Sequence, residues 1–120
     1  MSAAIQFTSW DKLEPEQMSE KIVRQMLNGG AGTVARIYLA KGAVVPRHQH
    51  VSEQFTFVIS GAMKLKFDDR EVLVRAGDIV LIPSNVPHAA EAVEDTLDVD
   101  FFAPRREDWI AKDDAYLRKQ

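Results

Sequence analysis

Gly42-Ala43-Val44-Val45-Pro46-Arg47-His48-Gln49-His50-Val51-Ser52-Glu53-Gln54-Phe55-Thr56-Phe57-Val58-Ile59-Ser60-Gly61 decides how the rest of this chain is read. It carries two of the three histidines and runs into a β-prone segment rich in Phe, Val, Ile and Thr, with glycine at each end. Read as one strand over His48–Ser60, it places side chains two residues apart on a common face. His48 and His50 then point the same way, and both imidazoles can converge on one point. Gln54 has the same parity and offers a carbonyl oxygen, whereas Glu53, the more familiar ligand type, faces the opposite side. A bulge between residues 50 and 54 would exchange the two. Such a pair alone also fits two surface imidazoles, so the frame around it matters.

Working outward, the pattern is strand, turn, strand. Residues 1–33 read as a lead-in: Pro15 argues against a continuous helix over Trp10–Met26, and Lys21–Leu27 is expected to be the first strand. Asn28-Gly29-Gly30-Ala31-Gly32 is a hairpin turn. It contains a loose match to a dinucleotide fingerprint, Gly30-x-Gly32-x-x-Ala35. That motif needs a following helix, and the β-prone Thr33–Leu39 follows instead. Ala62–Phe67 and Glu71–Val74 flank a turn at Asp68-Asp69-Arg70. Ile79–Ile82, apolar on both faces, reads as a strand buried on both sides. His88–Val93 and Thr96–Phe102 complete the series, Pro104 ends it, and Arg105–Arg118 reads as a short helical tail docked by Trp109, Ile110, Tyr116 and Leu117. Short strands with Gly and Pro punctuation, and no βαβ alternation, define an all-β sandwich, jelly roll or barrel.

Composition narrows the function classes. At 120 residues the chain reads as a single domain, comprising the lead-in, a barrel over 34–103 and a tail over 104–120. The net charge of −3 is spread over both signs, which speaks against nucleic-acid and membrane-surface partners. Zero cysteines exclude disulfides, thiolate metal sites and cysteine nucleophiles. The first residues lack the basic and apolar regions of a secretory leader, so a cytoplasmic location is expected.

The last strand offers two faces. Asp98, Asp100 and Phe102 share one; Leu97, Val99 and Phe101 share the other. The ordinary assignment buries the apolar set and leaves both aspartates in water.

The frame around the histidines closely resembles the two signatures of the cupin superfamily. Gly42-x5-His48-x-His50-x3-Gln54-x6-Gly61 matches the first, with Gln where that signature has Glu. Gly77-x5-Pro83-x-Asn85-x2-His88 matches the second, with Asn85 replacing a glycine and Ala92 standing where Asn is common. Fifteen residues, 62–76, separate the blocks. The resemblance implies a cupin double-stranded β-helix, a jelly-roll barrel in which His48, His50, Gln54 and His88 meet inside one open end and hold one divalent metal ion. Three neutral imidazoles and an amide oxygen suit Zn, Ni, Fe or Mn, and leave positions for water or substrate. In such a barrel the interior is a polar pocket, so Asp98 and Asp100 can face inward.

His-x-His-x-x-Glu-Gln, with Asp100-x-Phe102-x3-Arg106, looks further like the pectin-degradation (KdgF-like) group of small cupins, which linearise 4,5-unsaturated monouronates. Carried over, that likeness makes Asp100 the acid/base group, Phe102 a pocket wall, and Arg106 a bidentate partner for the substrate carboxylate; Arg105 replaces it if the tail shifts by one. Three other readings stand beside it. They are a metal-dependent dioxygenase, a polyketide-cyclase-like cupin with a more apolar pocket, and a non-enzymatic module binding a small molecule. Phe55, Phe57 and Ile59, opposite the metal face, give more apolar surface than one barrel needs, and a homodimer is expected.

Overall fold

Strand β10 (Thr96–Ala103) buries Thr96, Asp98, Asp100 and Phe102 and turns Leu97, Val99 and Phe101 outward. Both aspartates are 3% exposed while Phe101 is 40% exposed, so the polar set of this strand faces the interior. The structure, a computed structural model, describes residues 4–118. In it β10 lies in the middle of a six-stranded antiparallel sheet, between β3 (Thr33–Leu39) and β5 (Glu53–Ser60). Outside β3 come β2 (Ile22–Asn28) and β1 (Glu16–Ser19); outside β5 comes β8 (Ile79–Ile82). The second sheet has four strands, in the order β4 (Val44–His48), β9 (His88–Ala92), β6 (Ala62–Phe67) and β7 (Glu71–Arg75).

The two sheets pack as a jelly roll. One buried cluster joins Ile22, Ile37 and Leu39 to Ala43, Ala92, Phe102 and Trp109; a second joins Val58 and Ile82 to Met63, Leu65 and Val74. Gly61 makes the close β5–β6 turn at φ +85°, where an added Cβ would run into the Asp95 carbonyl. No helix of the described chain is long and apolar enough to cross a membrane.

Four expectations are corrected. The first strand is Glu16–Ser19, not Lys21–Leu27, so the lead-in supplies two strands of the larger sheet. His48–Ser60 is not one strand: β4 ends at His48, residues 49–52 cross between the sheets, and β5 starts in the other sheet. Ile79 is 65% and Leu81 50% exposed, because β8 is an edge strand whose outer face is left uncovered by the described residues. Finally, Ile110 is not one of the docking residues of the tail, which is helical as expected, with two single-turn helices, α1 (Glu107–Ile110) and α2 (Ala115–Arg118). They bury Trp109 and Leu117 and leave Ile110 outside.

The tail is held by charge as well as by apolar contact. Arg24 and Asp114 are both 0% exposed in their side chains and pair at 3.0 Å. Asp114 also accepts a hydrogen bond from Arg118 at 2.8 Å, and Arg24 bonds Glu16 at 3.2 Å. The Arg24 guanidinium lies 4.6 Å from the centre of the Trp109 ring. Burial acts to raise the Asp114 pKa, but the bonds from Arg118 and Arg24 prevail and lower it. Removing one member of a buried pair leaves the other charge uncompensated. Asp114→Asn is therefore expected to lower unfolding free energy by about 3 kcal/mol in urea denaturation at neutral pH. A depressed folded-state pKa contributes stability above the ordinary value of about 3.9 and loses it as pH falls. The gap between wild type and variant should thus be full at pH 6 and shrink below about pH 4. A gap independent of pH would show that the pair contributes nothing through its charge.

Candidate metal centre

His48 and His88 are register partners across β4 and β9, so their rings leave the four-stranded sheet side by side, with centroids 4.3 Å apart. His50 comes from the crossing segment. Ser52 Oγ donates to the Pro104 carbonyl at 2.6 Å, and the Asn85 N–H donates to the His50 carbonyl at 2.8 Å, pinning that segment from two sides. Asn85 has φ +62°, a left-handed conformation that Asn tolerates well, which accounts for its standing where the signature has glycine. Convergence of the histidines therefore comes from a bend between two sheets, and not from the parity of one strand.

Each imidazole is oriented by a backbone carbonyl two residues away. Nδ1 of His48 bonds the Pro46 carbonyl at 2.7 Å, Nδ1 of His50 that of Ser52 at 2.8 Å, and Nδ1 of His88 that of Val86 at 2.8 Å. A carbonyl only accepts, so each Nδ1 carries the proton and each Nε2 presents a lone pair. Burial pushes His48 and His50 down to about 4 and lowers His88 as well, which keeps the rings neutral. The ligand atoms of the three residues lie within 4.8 Å of one another.

Gln54, at the start of β5, brings its Oε1 to 3.1 Å from His50 Nε2. Its amide Nε2 donates to Thr56 Oγ1 at 2.8 Å, and Thr56 donates to Asp100 Oδ1 at 2.8 Å, so the oxygen is the end turned toward the rings. Two lone pairs thus face each other with no proton between them. His88 Nε2 is buried and has no hydrogen-bond partner among the described residues. Neutral Nε2 atoms, a facing amide oxygen and an orphaned buried nitrogen fit a divalent cation by charge and by donor type. Among the described residues no carboxylate joins this group; Glu53 lies opposite Ala103 in the sheet, outside it.

Below the centre the sheets and tail line a cavity of about 60 Å3. Ile37, Leu39, Val45, Met63, Leu65 and Leu117 make it largely apolar; Asp98, Asp100, Arg106 and Tyr116 add polar groups. Burial pushes the Asp100 carboxyl up, against bonds from Asp98 and Thr56 that favour its charged form. Phe102 lines the cavity and meets the His50 ring edge-on at 5.6 Å.

The arginine expected to grip a carboxylate is differently engaged. Arg106 is buried, and its Nε and Nη2 bond the two carboxylate oxygens of Asp108 at 2.9 and 2.7 Å. Nη2 also donates to the Tyr116 hydroxyl at 2.8 Å, and the guanidinium stacks 4.1 Å from the Trp109 ring centre. Its bidentate edge is therefore occupied, and only Nη1 has no hydrogen-bond partner among the described residues. Arg105 points away, to Glu107 and the Gly29 carbonyl. Tyr116, foreseen only as a docking residue, stacks on His48 at 4.5 Å. Thr56 was not foreseen, although it shares the parity of Gln54 and pairs with Asp100 across the sheet.

Residues 35–103 match the cupin domain family, and the chain belongs to it. Two solved structures are similar over nearly its whole length. KdgF from Halomonas sp. is 27% identical with a TM-score of 0.80, covering 87% of this chain and 99% of that one. An RmlC-like cupin from Shewanella frigidimarina is 28% identical with a TM-score of 0.82, covering 91% and 99%. Uncharacterized protein MJ1618 of Methanocaldococcus jannaschii is 26% identical over 93 residues, 72% of this chain and 74% of its own.

Elemental analysis of protein purified without added metal is expected to give close to one divalent ion per chain. His88→Ala should abolish retention after dialysis while circular dichroism stays that of a β protein. A fully folded wild type that binds no metal on titration with Zn, Ni, Fe or Mn would overturn the centre.

Proposed function

We propose that the protein is a metal-dependent enzyme acting on a small anionic sugar acid, opening and tautomerising a 4,5-unsaturated monouronate to its linear keto form. The observation that carries this reading is Asp100, a buried carboxyl linked through Thr56 to Gln54 beside three convergent imidazoles. The likeness to KdgF over nearly the full chain supports it. In this reading His48, His50, His88 and Gln54 hold the ion, which when bound supplies a Lewis acid that polarises a substrate oxygen.

The remaining chemistry belongs to the chain. Ring opening breaks the bond between the anomeric carbon and the ring oxygen; the anomeric hydroxyl loses a proton and the ring oxygen gains one, giving an enol. Tautomerisation removes that enol proton and delivers a proton to the neighbouring alkene carbon. Asp100 performs these transfers; burial raises its pKa, which favours a carboxyl that holds a proton as well as accepting one. Arg106 contributes a single donor, Nη1, and a positive charge to the substrate carboxylate. Phe102 walls the pocket and excludes water.

A second reading draws on the cavity's walls. Ile37, Leu39, Met63 and Leu65 would suit an aromatic precursor folded by a polyketide-cyclase-like reaction on the same centre. Assaying both substrate classes with metal-loaded protein separates the two.

Loss of the unsaturated monouronate's ultraviolet band, corrected for spontaneous conversion, is the assay. Asp100→Asn should keep fold and metal and lower kcat by about 100-fold or more, because an amide cannot shuttle a proton. Arg106→Ala should act mainly on KM. Gln54→Ala should weaken metal retention while Glu53→Ala leaves it intact. A wild type no faster than the spontaneous reaction would refute the substrate class; wild-type turnover in Asp100→Asn would refute the role of Asp100.

A further inference from the structure

The fork of Arg106 is engaged by Asp108, yet two hydrogens beside it are free. Tyr116 Oη accepts from Arg106 Nη2 at 2.8 Å and from Trp109 Nε1 at 2.9 Å. Guanidinium and indole N–H groups only donate, so these bonds occupy the lone pairs of the phenol oxygen. The hydroxyl's own hydrogen goes to neither, and no acceptor among the described residues takes it. Arg106 Nη1 likewise has no hydrogen-bond partner among them. It is not among the fully buried atoms that lack a partner, as His88 Nε2 and Asp98 Oδ1 are, so it keeps surface that a ligand can reach.

The planarity of the guanidinium brings the two hydrogens together. Nε and one hydrogen of Nη2 form the edge that meets both Asp108 oxygens. The second Nη2 hydrogen, given to Tyr116, lies on the edge shared with Nη1 and runs parallel to an Nη1 hydrogen. On such an edge a carboxylate ordinarily sets its two oxygens side by side. Here the phenol oxygen fills one place. A ligand oxygen in the other place, on Nη1, falls beside the phenol at roughly the 2.5–3.0 Å of an O–H···O bond. Both residues line the inner cavity and also a groove of about 640 Å3, open to solvent, that His48 and His50 border. Tyr116 lies against the face of His48, with 4.5 Å between ring centres and 26° between planes, so it leaves the lone pair of that imidazole unobstructed.

We infer that Tyr116 is a substrate-binding residue: its hydroxyl and Arg106 Nη1 form a two-donor seat for one oxygen of the substrate carboxylate. This deepens the sugar-acid reading and rests on it. The bidentate grip that Arg106 cannot make alone is shared between two residues of the tail. A charged oxygen suits the seat better than a neutral one. The guanidinium is positive, and the two bonds accepted by Oη polarise its O–H toward the ligand.

The test measures by calorimetry the binding of galacturonate, an unreactive acid of the same carbon number, to metal-loaded protein. Tyr116→Phe keeps the ring on His48, and the ring edge still blocks Nη2, so the ligand loses one donor and gains none. Binding should weaken about 10-fold, as expected for one hydrogen bond to a charged group. A displaced Arg106 would give the same loss, so a second variant replaces Tyr116 with 3-fluorotyrosine. It is measured at mildly acidic pH, where a monofluorinated phenol stays protonated. Fluorine makes the phenol a stronger donor and a weaker acceptor. Galacturonate should therefore bind more tightly if the hydroxyl donates to it, and no more tightly if Oη only holds Arg106. Unchanged binding in Tyr116→Phe, unchanged or weaker binding in the fluorinated protein, or no binding to wild type would overturn the inference. The two opposite shifts without turnover of the unsaturated monouronate would refute the reaction and keep the seat. Normal turnover without those shifts would refute the seat alone.

Discussion

Three hydrogen bonds from imidazole Nδ1 to the carbonyl two residues away hold this molecule's centre together. Each fixes a tautomer and aims a lone pair inward, and the three lone pairs crowd one another and the Gln54 oxygen. Left to itself such a cluster would relax by turning a ring outward. The two sheets prevent it: β4 and β9 pair His48 with His88, and the crossing segment that carries His50 is tied to Pro104 and Asn85. The protein thus supplies in advance the constraint that a cation would otherwise have to impose on flexible side chains.

The chain then grades polarity with depth. Near the rings are Gln54, Thr56 and Asp100, joined by hydrogen bonds of 2.8 Å; beyond them Asp98 is set among aliphatic side chains. The tail closes the construction from the side. Its Trp109 ring lies between two guanidiniums, Arg24 at 4.6 Å and Arg106 at 4.1 Å, each of which is also paired with an aspartate. Such stacking is favourable for arginine, whose planar, weakly hydrated head combines ring contact with hydrogen bonding at its edge. Arg106 accordingly serves the tail first and offers the cavity what remains.

Much of this was legible from residues alone. From Thr33 onward, alternation and glycine punctuation mark strands whose bounds agree with the structure to a residue or two, save that Val44–His48 is not marked as a strand and the one expected over His48–Ser60 begins at Glu53. The spacing of the histidine blocks singled out three imidazoles and an amide that do lie together in the structure. Three things were not legible, each for a physical reason. Strand β1 has one buried residue, Met18, in four, too few to show a period. His50 lies in a bend between sheets, where the two-residue period does not operate. Which face of β10 points inward depends on what fills the barrel, since Asp98/Asp100/Phe102 and Leu97/Val99/Phe101 alternate equally well. The engagement of Arg106 with Asp108 and the free hydroxyl hydrogen of Tyr116 are matters of individual hydrogen bonds, which spacing cannot count.

The position of β10 also has a consequence for how the chain comes into being. In the larger sheet β1-β2-β3 forms one block and β5-β8 another, and β10 alone joins them. During synthesis both blocks emerge from the ribosome before their common partner does. The β3 edge and the β5 edge must therefore wait, unpaired, until Thr96–Ala103 has cleared the exit tunnel. Exposed edges are templates for pairing with other chains. Closure of the sheet and burial of the inward carboxyls then occur together, late and in one step. The strand that carries Asp98 and Asp100 is also the one whose arrival ends the vulnerable interval of the nascent protein.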